Sequence, residues 1–253
     1  KVRAYFDRDN NLVLCRIAFL YGDEEIDPFA AQTAPTEDDE RIMLLRDAAA
    51  ERRVLDLLAT FGFRMQKGRV VLGGQEPIYR FLTEGIYRMQ ENAEVYCSDE
   101  FRKMTPRKPH FTGTLGMQEG ALRLEMTENG EPAPEIVAIL RALRDHKKYF
   151  RLKDGSFLDL SEMDEWREMA EAAIGADNGE EAEDEKNVRG VVEVASFRAA
   201  YMMSLLEGGS VPVKADESVK EMVGSLEDDG EPCPEPLNSM LRPYQMRGFM
   251  WMQ

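Results

Sequence analysis

The fold class is indicated first by residues 2–21, whose sequence is VRAYFDRDNNLVLCRIAFLY. Val2, Ala4 and Phe6 alternate with polar neighbours, and the same period of two resumes after the pair Asp9–Asn10. A period of two places alternate side chains on one face of a strand, and Asp and Asn favour turns. We therefore predict a β-hairpin over this stretch.

Further strands and helices alternate along the rest of the chain. Alternating apolar residues and turn pairs predict strands at Arg69–Leu72, Glu94–Ser98, Phe111–Leu115, Leu122–Met126, Tyr149–Leu152, Ser156–Leu160 and Gly190–Val194. Asp154–Gly155 predicts a hairpin turn between the fifth and sixth of these strands. Helical spacing predicts helices at Glu40–Thr60, Ile78–Met89, Ile136–Leu143, Met163–Ile174, Phe197–Leu206, Asp216–Leu226 and Leu237–Gln253. Gly62 is predicted to end the first of these in a left-handed cap. Strands in pairs with interleaved helices favour an α+β fold, followed by a mainly helical C-terminal part, over a wound parallel sheet.

The domain boundaries are predicted from composition. A length of 253 residues suits one or two domains. Ala176–Glu185 holds six acidic residues and no basic one, which is typical of a flexible linker. We predict an α+β domain at 1–175, an acidic linker at 176–187, a smaller and mainly helical part at 188–236 and a final helix at 237–253.

The net charge of −16 argues at first against nucleic acid and anionic lipid as partners. Its distribution weakens that argument. Three segments, 22–40, 176–185 and 226–235, hold 19 of the 48 acidic residues and neither Lys nor Arg. The rest of the chain has 29 acidic against 32 basic residues, so its body is nearly neutral.

The cellular location of the protein, and whether the chain is part of a longer one, are indicated by three features of the sequence. No apolar run approaches the roughly 18 residues of a membrane helix. The chain starts at Lys1 within a strand pattern and stops at Gln253 within an amphipathic one, so we expect a fragment of a longer protein. The chain has three cysteines, Cys15, Cys97 and Cys233, which lie far apart in sequence. Their odd number and wide spacing favour free thiols in a reducing cytoplasm over a metal site.

No motif of a self-contained enzyme is present, so we predict no catalytic residue and no metal ligand. The chain has no phosphate-binding loop, no zinc-protease helix and no nucleophile elbow. His110 and His146 lie in polar surroundings and are expected at the surface. Clustered acids such as Asp38–Glu40 are expected to be solvated loop residues.

Two basic stretches are candidates for contact with nucleic acid. The first contains Arg102, Lys103, Arg107, Lys108 and His110. The second interleaves bases with Tyr149 and Phe150, a pattern that can follow a phosphate backbone and stack bases; its candidate contacts are Arg144, Lys147, Lys148, Arg151 and Lys153. The alternative is a solvated helix end that complements the helix dipole, with the two aromatic residues in the core.

The C-terminal run resembles the opening helix of the ATPase core of Swi/Snf-type translocases, which are helicase-like proteins of superfamily two. The residues concerned are Leu241-Arg242-Pro243-Tyr244-Gln245 and Gly248-Phe249-Met250-Trp251. The resemblance implies that Gln245 contacts adenine in the intact parent, and a side-chain amide can donate and accept at that edge. Taken alone, the run also suits an amphipathic helix.

The upstream sequence is similar to the bacterial domain that precedes this ATPase core. The matching segments are Tyr21-Gly22-Asp23, Asp27-Pro28-Phe29, Glu94–Ser98, Lys148–Leu160 and Phe197–Tyr201. The acidic segment 176–185 departs from the pattern, and the zinc-binding segment often found upstream in the family is absent. The phosphate loop and the acidic metal motif of the ATPase would lie beyond Gln253.

The resemblance implies an accessory or regulatory domain of a bacterial, cytoplasmic, ATP-dependent DNA translocase. ATP and Mg would belong to the parent, whose partners would be the ATPase core in the same chain and double-stranded DNA; the fragment itself would hold no cofactor. The alternative is a protein-interaction module whose acidic loops bind a basic partner. A third possibility is a small hydrolase, for which a deep pocket with converging carboxylates or histidines would be the sign.

Overall fold

The computed structural model describes residues 1–29, 46–174, 190–209 and 211–228, together with Leu241 and Gln245. Strands and helices are mixed throughout these residues, which confirms the predicted α+β class. Two compact units are present. Unit 1 comprises Lys1–Arg107 and Arg151–Phe157, and unit 2 comprises Lys108–Phe150 and Leu158–Gln253.

Unit 1 is built on a mixed sheet. Its strands are β1 (Val2–Asp9), β2 (Leu12–Tyr21), β3 (Glu24–Ile26), β4 (Arg64–Gln66), β5 (Arg69–Leu72) and β6 (Glu94–Cys97). They lie in the order β4-β5-β2-β1-β6, with β3 also paired to β2. The predicted hairpin is confirmed, with Phe6 opposite Cys15 and Asn10 at a positive φ of 54° in the turn. β6 runs parallel to β1.

The helices of unit 1 pack on one face of this sheet. They are α1 (Ala48–Phe61), α2 (Gln75–Arg80), a π-helical turn (Phe81–Gly85), α3 (Ile86–Gln90) and α4 (Asp99–Arg102). The rings of Phe81 and Phe101 lie 5.0 and 5.7 Å from that of Phe6 in β1. Since side chains alternate across a strand, Tyr5 and Asp7 point to the opposite face.

The boundaries of α1 differ in part from the prediction. Residues 40–45 of the predicted helix lie outside the described residues, and Arg46 and Asp47 are not helical. The helix starts at Ala48 because the Asp47 carboxylate accepts a hydrogen bond from the Ala50 amide at 2.9 Å, as an N-cap does. It ends at Gly62, which has the predicted left-handed conformation with φ 91°.

Unit 2 contains a second sheet with helices beside it. Its strands are β7 (Phe111–Gln118), β8 (Ala121–Glu128), β9 (Glu131–Pro132), β12 (Val191–Val194) and β13 (Val213–Ala215). Its helices are α5 (Ile136–Arg144), α6 (Asp164–Ile174), a 3-10 turn (Ser196–Arg198), α7 (Ala199–Glu207) and α8 (Glu217–Asp228). The strands β10 (Tyr149–Arg151) and β11 (Phe157–Asp159) form a separate pair around the predicted turn at Asp154–Gly155.

Strands from both sides of the predicted acidic linker share the sheet of unit 2. The order is β12-β8-β7-β13, so the β7–β8 hairpin is flanked on both edges by strands from residues 188–236. Most of the three acidic segments, and the final helix except Leu241 and Gln245, lie outside the described residues. The predicted domain boundaries therefore stay predictions. Among the helices described, none has the length and apolar character to cross a membrane.

Candidate functional site

The second basic stretch is divided between the two units, and its unit 2 part follows the end of α5. Arg144 lies in the last turn of α5, where its Nε donates to the Asp145 carboxylate at 3.0 Å. His146 then adopts a φ of 54°, and the Lys147 amide donates to the Ala142 carbonyl at 2.9 Å. This turn leaves Lys147 and Lys148 exposed.

The unit 1 part contains Arg151 and Lys153 in two different environments. Arg151 is half-buried, and its guanidinium carbon lies 5.3 Å from the centre of the Phe157 ring. Its Nε and Nη2 atoms are shielded from solvent and have no hydrogen-bond partner among the described residues. Burial, helped by the charge of Arg8, lowers the pKa of Arg151. Lys153 is exposed.

The first basic stretch is largely neutralised by carboxylates. Its ion pairs join Arg102 to Asp99 at 3.6 Å, Lys103 to Glu100 at 2.5 Å, and Lys108 to Glu162. The predicted exposure of His110 and His146 is confirmed. Since Lys147 and Lys148 form no ion pair within the described residues, the second stretch is the stronger candidate for phosphate contact.

A groove on the open face of the unit 1 sheet is a second candidate, and no local sequence pattern indicates it. It encloses about 550 Å³. Its lining includes Tyr5, Asp7, Leu14, Arg69, Tyr96 and Ser98. An apolar floor with a few polar groups is typical of ligand sites. Tyr5 and Asp7 occupy alternate positions of the predicted hairpin, but nothing local in the sequence brings Tyr96 beside them.

Three side chains on this open face form a continuous stack, because strand pairing sets them side by side. Tyr5 lies opposite Arg16 in β2 and opposite Tyr96 in β6. The two tyrosine rings are 5.1 Å apart and only 18° from parallel. The guanidinium carbon of Arg16 lies 4.1 Å from the centre of the Tyr5 ring, within cation–π distance. We call Arg16, Tyr5 and Tyr96 the ring stack.

Two acidic residues, Asp7 and Asp27, line the groove, and hydrogen bonds hold Asp7 as a carboxylate. Asp7 accepts hydrogen bonds from the Ser98 hydroxyl at 2.5 Å and from the Arg8 amide at 2.7 Å. These two bonds lower the pKa of Asp7, the Ser98 bond most strongly. A carboxylate with a lowered pKa is a poor general acid near neutral pH, so Asp7 is better suited to accept hydrogen bonds than to donate a proton.

A sequence model of one family matches the chain over residues 1–230 and is described as bacterial SNF2 helicase associated. The chain belongs to this family. No curated protein and no solved structure shows significant similarity to the bacterial SNF2 helicase associated chain. The match covers the resemblance stated for the upstream segments and stops before the C-terminal run.

The absence of a cofactor from this bacterial SNF2 helicase associated domain, like ATP and Mg in the parent, stays a prediction. The sequence has no phosphate-binding loop. In the part of the chain that the structure describes, no group of three His, Cys, Asp or Glu side chains could share a metal ion. Gln245 is helical and exposed, and its role in contacting adenine in the parent stays a prediction.

Proposed function

We propose that the chain is a non-catalytic accessory domain that contacts double-stranded DNA for a SNF2-type motor in the same polypeptide. Membership of the family supports the accessory role. DNA contact is supported by the exposed side chains of Lys147 and Lys148, which follow α5 without an ion-pair partner among the described residues. A lysine without a carboxylate partner can form an ion pair with a phosphate at no cost in existing pairs.

A second candidate function is the docking of a basic protein partner on unit 2. Within residues 108–150, 158–174, 190–209 and 211–224, unit 2 has 17 acidic and 10 basic side chains, whereas the described residues of unit 1 have 16 acidic and 17 basic ones. An acidic surface attracts basic partners and repels phosphate. This balance limits DNA contact on unit 2 to the neighbourhood of Lys147 and Lys148, and it favours a basic protein elsewhere on the unit.

The two functions are separated by reversing the charge of both lysines. We expect Lys147→Glu with Lys148→Glu to weaken binding of a labelled DNA duplex about tenfold and to reduce the slope of log K against log salt by about two. Fluorescence anisotropy over a range of salt concentrations measures both values. The matched control, Lys214→Glu with Lys220→Glu, changes the net charge of unit 2 by the same amount. We expect its DNA affinity and its salt slope to stay near those of the unaltered chain.

Several results would contradict the proposal. An equal loss of DNA affinity in the two double variants would mean that the net charge of the chain, rather than the surface around Lys147 and Lys148, governs binding. Retention of the chain by a basic protein bait, with no retention on DNA-cellulose at low salt, would favour the second candidate. DNA-stimulated ATP hydrolysis by the purified chain that survives Gln245→Ala would contradict a non-catalytic role.

A further inference from the structure

The ring stack ends in an exposed aromatic side chain at the margin of the unit 1 sheet. β6 is the last strand on its side of the order found in the described residues, so no further strand pairs beyond Tyr96 there. Tyr96 keeps 46% of its surface exposed although Tyr5 stacks on it. Aromatic rings favour offset stacking on other planar groups, so an exposed Tyr96 ring at the margin of the sheet can stack on a further ring.

Arginines surround the ring stack on the same face. Arg69 lines the groove beside Arg16, and Arg3 lies two residues before Tyr5 in β1. Their carboxylate partners are held in ion pairs between exposed groups: Arg16 with Glu25 at 2.9 Å, Arg69 with Asp9 at 3.8 Å, and Arg3 with Glu94 at 3.1 Å. Exposed pairs contribute little to stability, so a phosphate can replace each carboxylate at a small cost. The first basic stretch is paired in the same way, and the stacked rings distinguish this face from it.

Polar groups beside the rings provide hydrogen-bonding capacity for the edge of a base. The Asp7 carboxylate and the Ser98 hydroxyl both line the groove. The Asp7 carboxylate can accept from an exocyclic amino group of a base, and the Ser98 hydroxyl, which donates to Asp7 and accepts from the Phe101 amide at 3.1 Å, holds that carboxylate in place. An aromatic platform, flanking arginines and adjacent polar groups together are the elements that single-strand binding surfaces use.

We infer that this open face binds an unpaired strand of DNA, with a base stacked on Tyr96 and the phosphates at the neighbouring arginines. The strand must be unpaired because a base in a duplex already stacks on both faces and cannot offer a ring to Tyr96. The near balance of charge in unit 1 opposes an anionic strand less than the acidic excess of unit 2 does. This surface lies apart in sequence from Lys147 and Lys148, so the inference does not rest on the proposed contact with duplex DNA.

Binding of a fluorescein-labelled oligodeoxycytidylate of about 12 nucleotides, whose bases carry exocyclic amino groups, to the full chain tests the inference, since such surfaces contact about 4 to 16 nucleotides. We expect Tyr96→Ala to weaken binding about tenfold or more, and Tyr96→Phe, which keeps the ring, to stay within about twofold. The matched control is Tyr87→Ala, because Tyr87 is a 66% exposed tyrosine of α3 in the same unit. It is expected to bind as the unaltered chain does.

Further variants separate single-strand binding by this face from loss of folding and from the proposed binding of duplex DNA. Arg69→Gln is expected to reduce the salt slope for the single strand by about 0.7, the value for one phosphate contact. Tyr96→Ala is expected to leave duplex binding unchanged, and the Lys147 and Lys148 variants to leave single-strand binding unchanged. The inference is overturned by an unaltered affinity of Tyr96→Ala, by equal losses in Tyr87→Ala, or by tenfold tighter binding of the matching RNA.

Discussion

At the scale of single residues, Glu51 links the start of α1 to the first hairpin. Its carboxylate accepts hydrogen bonds from Arg46 Nε at 2.9 Å, from Arg46 Nη2 at 2.6 Å and from the Tyr21 hydroxyl at 2.5 Å. The Tyr21 oxygen in turn accepts from the Asp47 amide at 2.9 Å. Glu51 is only 8% exposed, so its charge depends on these partners.

The Arg46 hydrogen bonds, followed by that from Tyr21, lower the pKa of Glu51 although burial opposes the shift. A lowered pKa means that the carboxylate stabilises the folded chain fully above its ordinary value of 4.5 and loses this effect as pH falls through the lowered value. We expect Glu51→Gln to reduce the free energy of unfolding by about 1–3 kcal/mol at neutral pH and to remove part of the loss of stability in acid.

Urea unfolding at several pH values measures the effect of Glu51→Gln. The control is Glu91→Gln, since Glu91 lies exposed after α3 and forms no hydrogen bond or ion pair through its side chain among the described residues. If the two variants show the same stability across the pH range, the network around Glu51 does not contribute as the geometry indicates.

At the scale of elements, two glycines of unit 1 are required for different reasons. Gly62 ends α1 at a φ of 91°, where a Cβ would meet only Leu72 Cδ1 at an ordinary 3.7 Å. Gly85 ends the π-helical turn with an ordinary helical backbone, but a Cβ there would lie 2.2 Å from Cδ2 of Phe81. Phe81 is fully buried against Phe6 and cannot give way.

We therefore expect Gly85→Ala to destabilise the chain more than Gly62→Ala. Overpacking costs about 1–3 kcal/mol, and an alanine forced into the left-handed region costs about 1 kcal/mol. Denaturation midpoints of the two variants give the comparison. A smaller loss in Gly85→Ala would mean that the Phe81 ring can move, contrary to its packing.

At the scale of the whole molecule, the sheet of unit 2 depends on residues that follow the second acidic segment. Without β12 and β13, the outer edge of β7 and most of the outer edge of β8 would be unpaired, because β9 pairs only with Thr127 and Glu128 of β8, and unpaired edges invite aggregation. We expect a chain ending at residue 175 to aggregate or to lose cooperative unfolding. Size-exclusion chromatography and thermal unfolding test this, and a monomer with an unchanged melting temperature would contradict it.

The part of the fold that was predictable is the part that local pattern determines. The alternation of Val2 to Tyr21 predicted the first hairpin, and Gly62 predicted the end of α1. The parallel pairing of Tyr5 with Tyr96 joins residues that are far apart in sequence, so neither alternation nor turn chemistry could reveal the ring stack. The three-residue strand Val213–Ala215 was missed because so short a stretch shows no clear period.

Unit 1 is formed from two separate segments of the chain, and this constrains the order in which the protein can fold during synthesis. Arg151–Phe157 belongs to unit 1, where the Asp154 carbonyl accepts from Arg8 Nη2 at 2.6 Å and the Phe157 carbonyl from the Arg107 amide at 3.1 Å. Residues 108–150 must therefore be synthesised before residues 151–157, which complete unit 1, leave the ribosome. A nascent chain paused at Arg107 lacks the buried Phe157 ring and has a gap in its core.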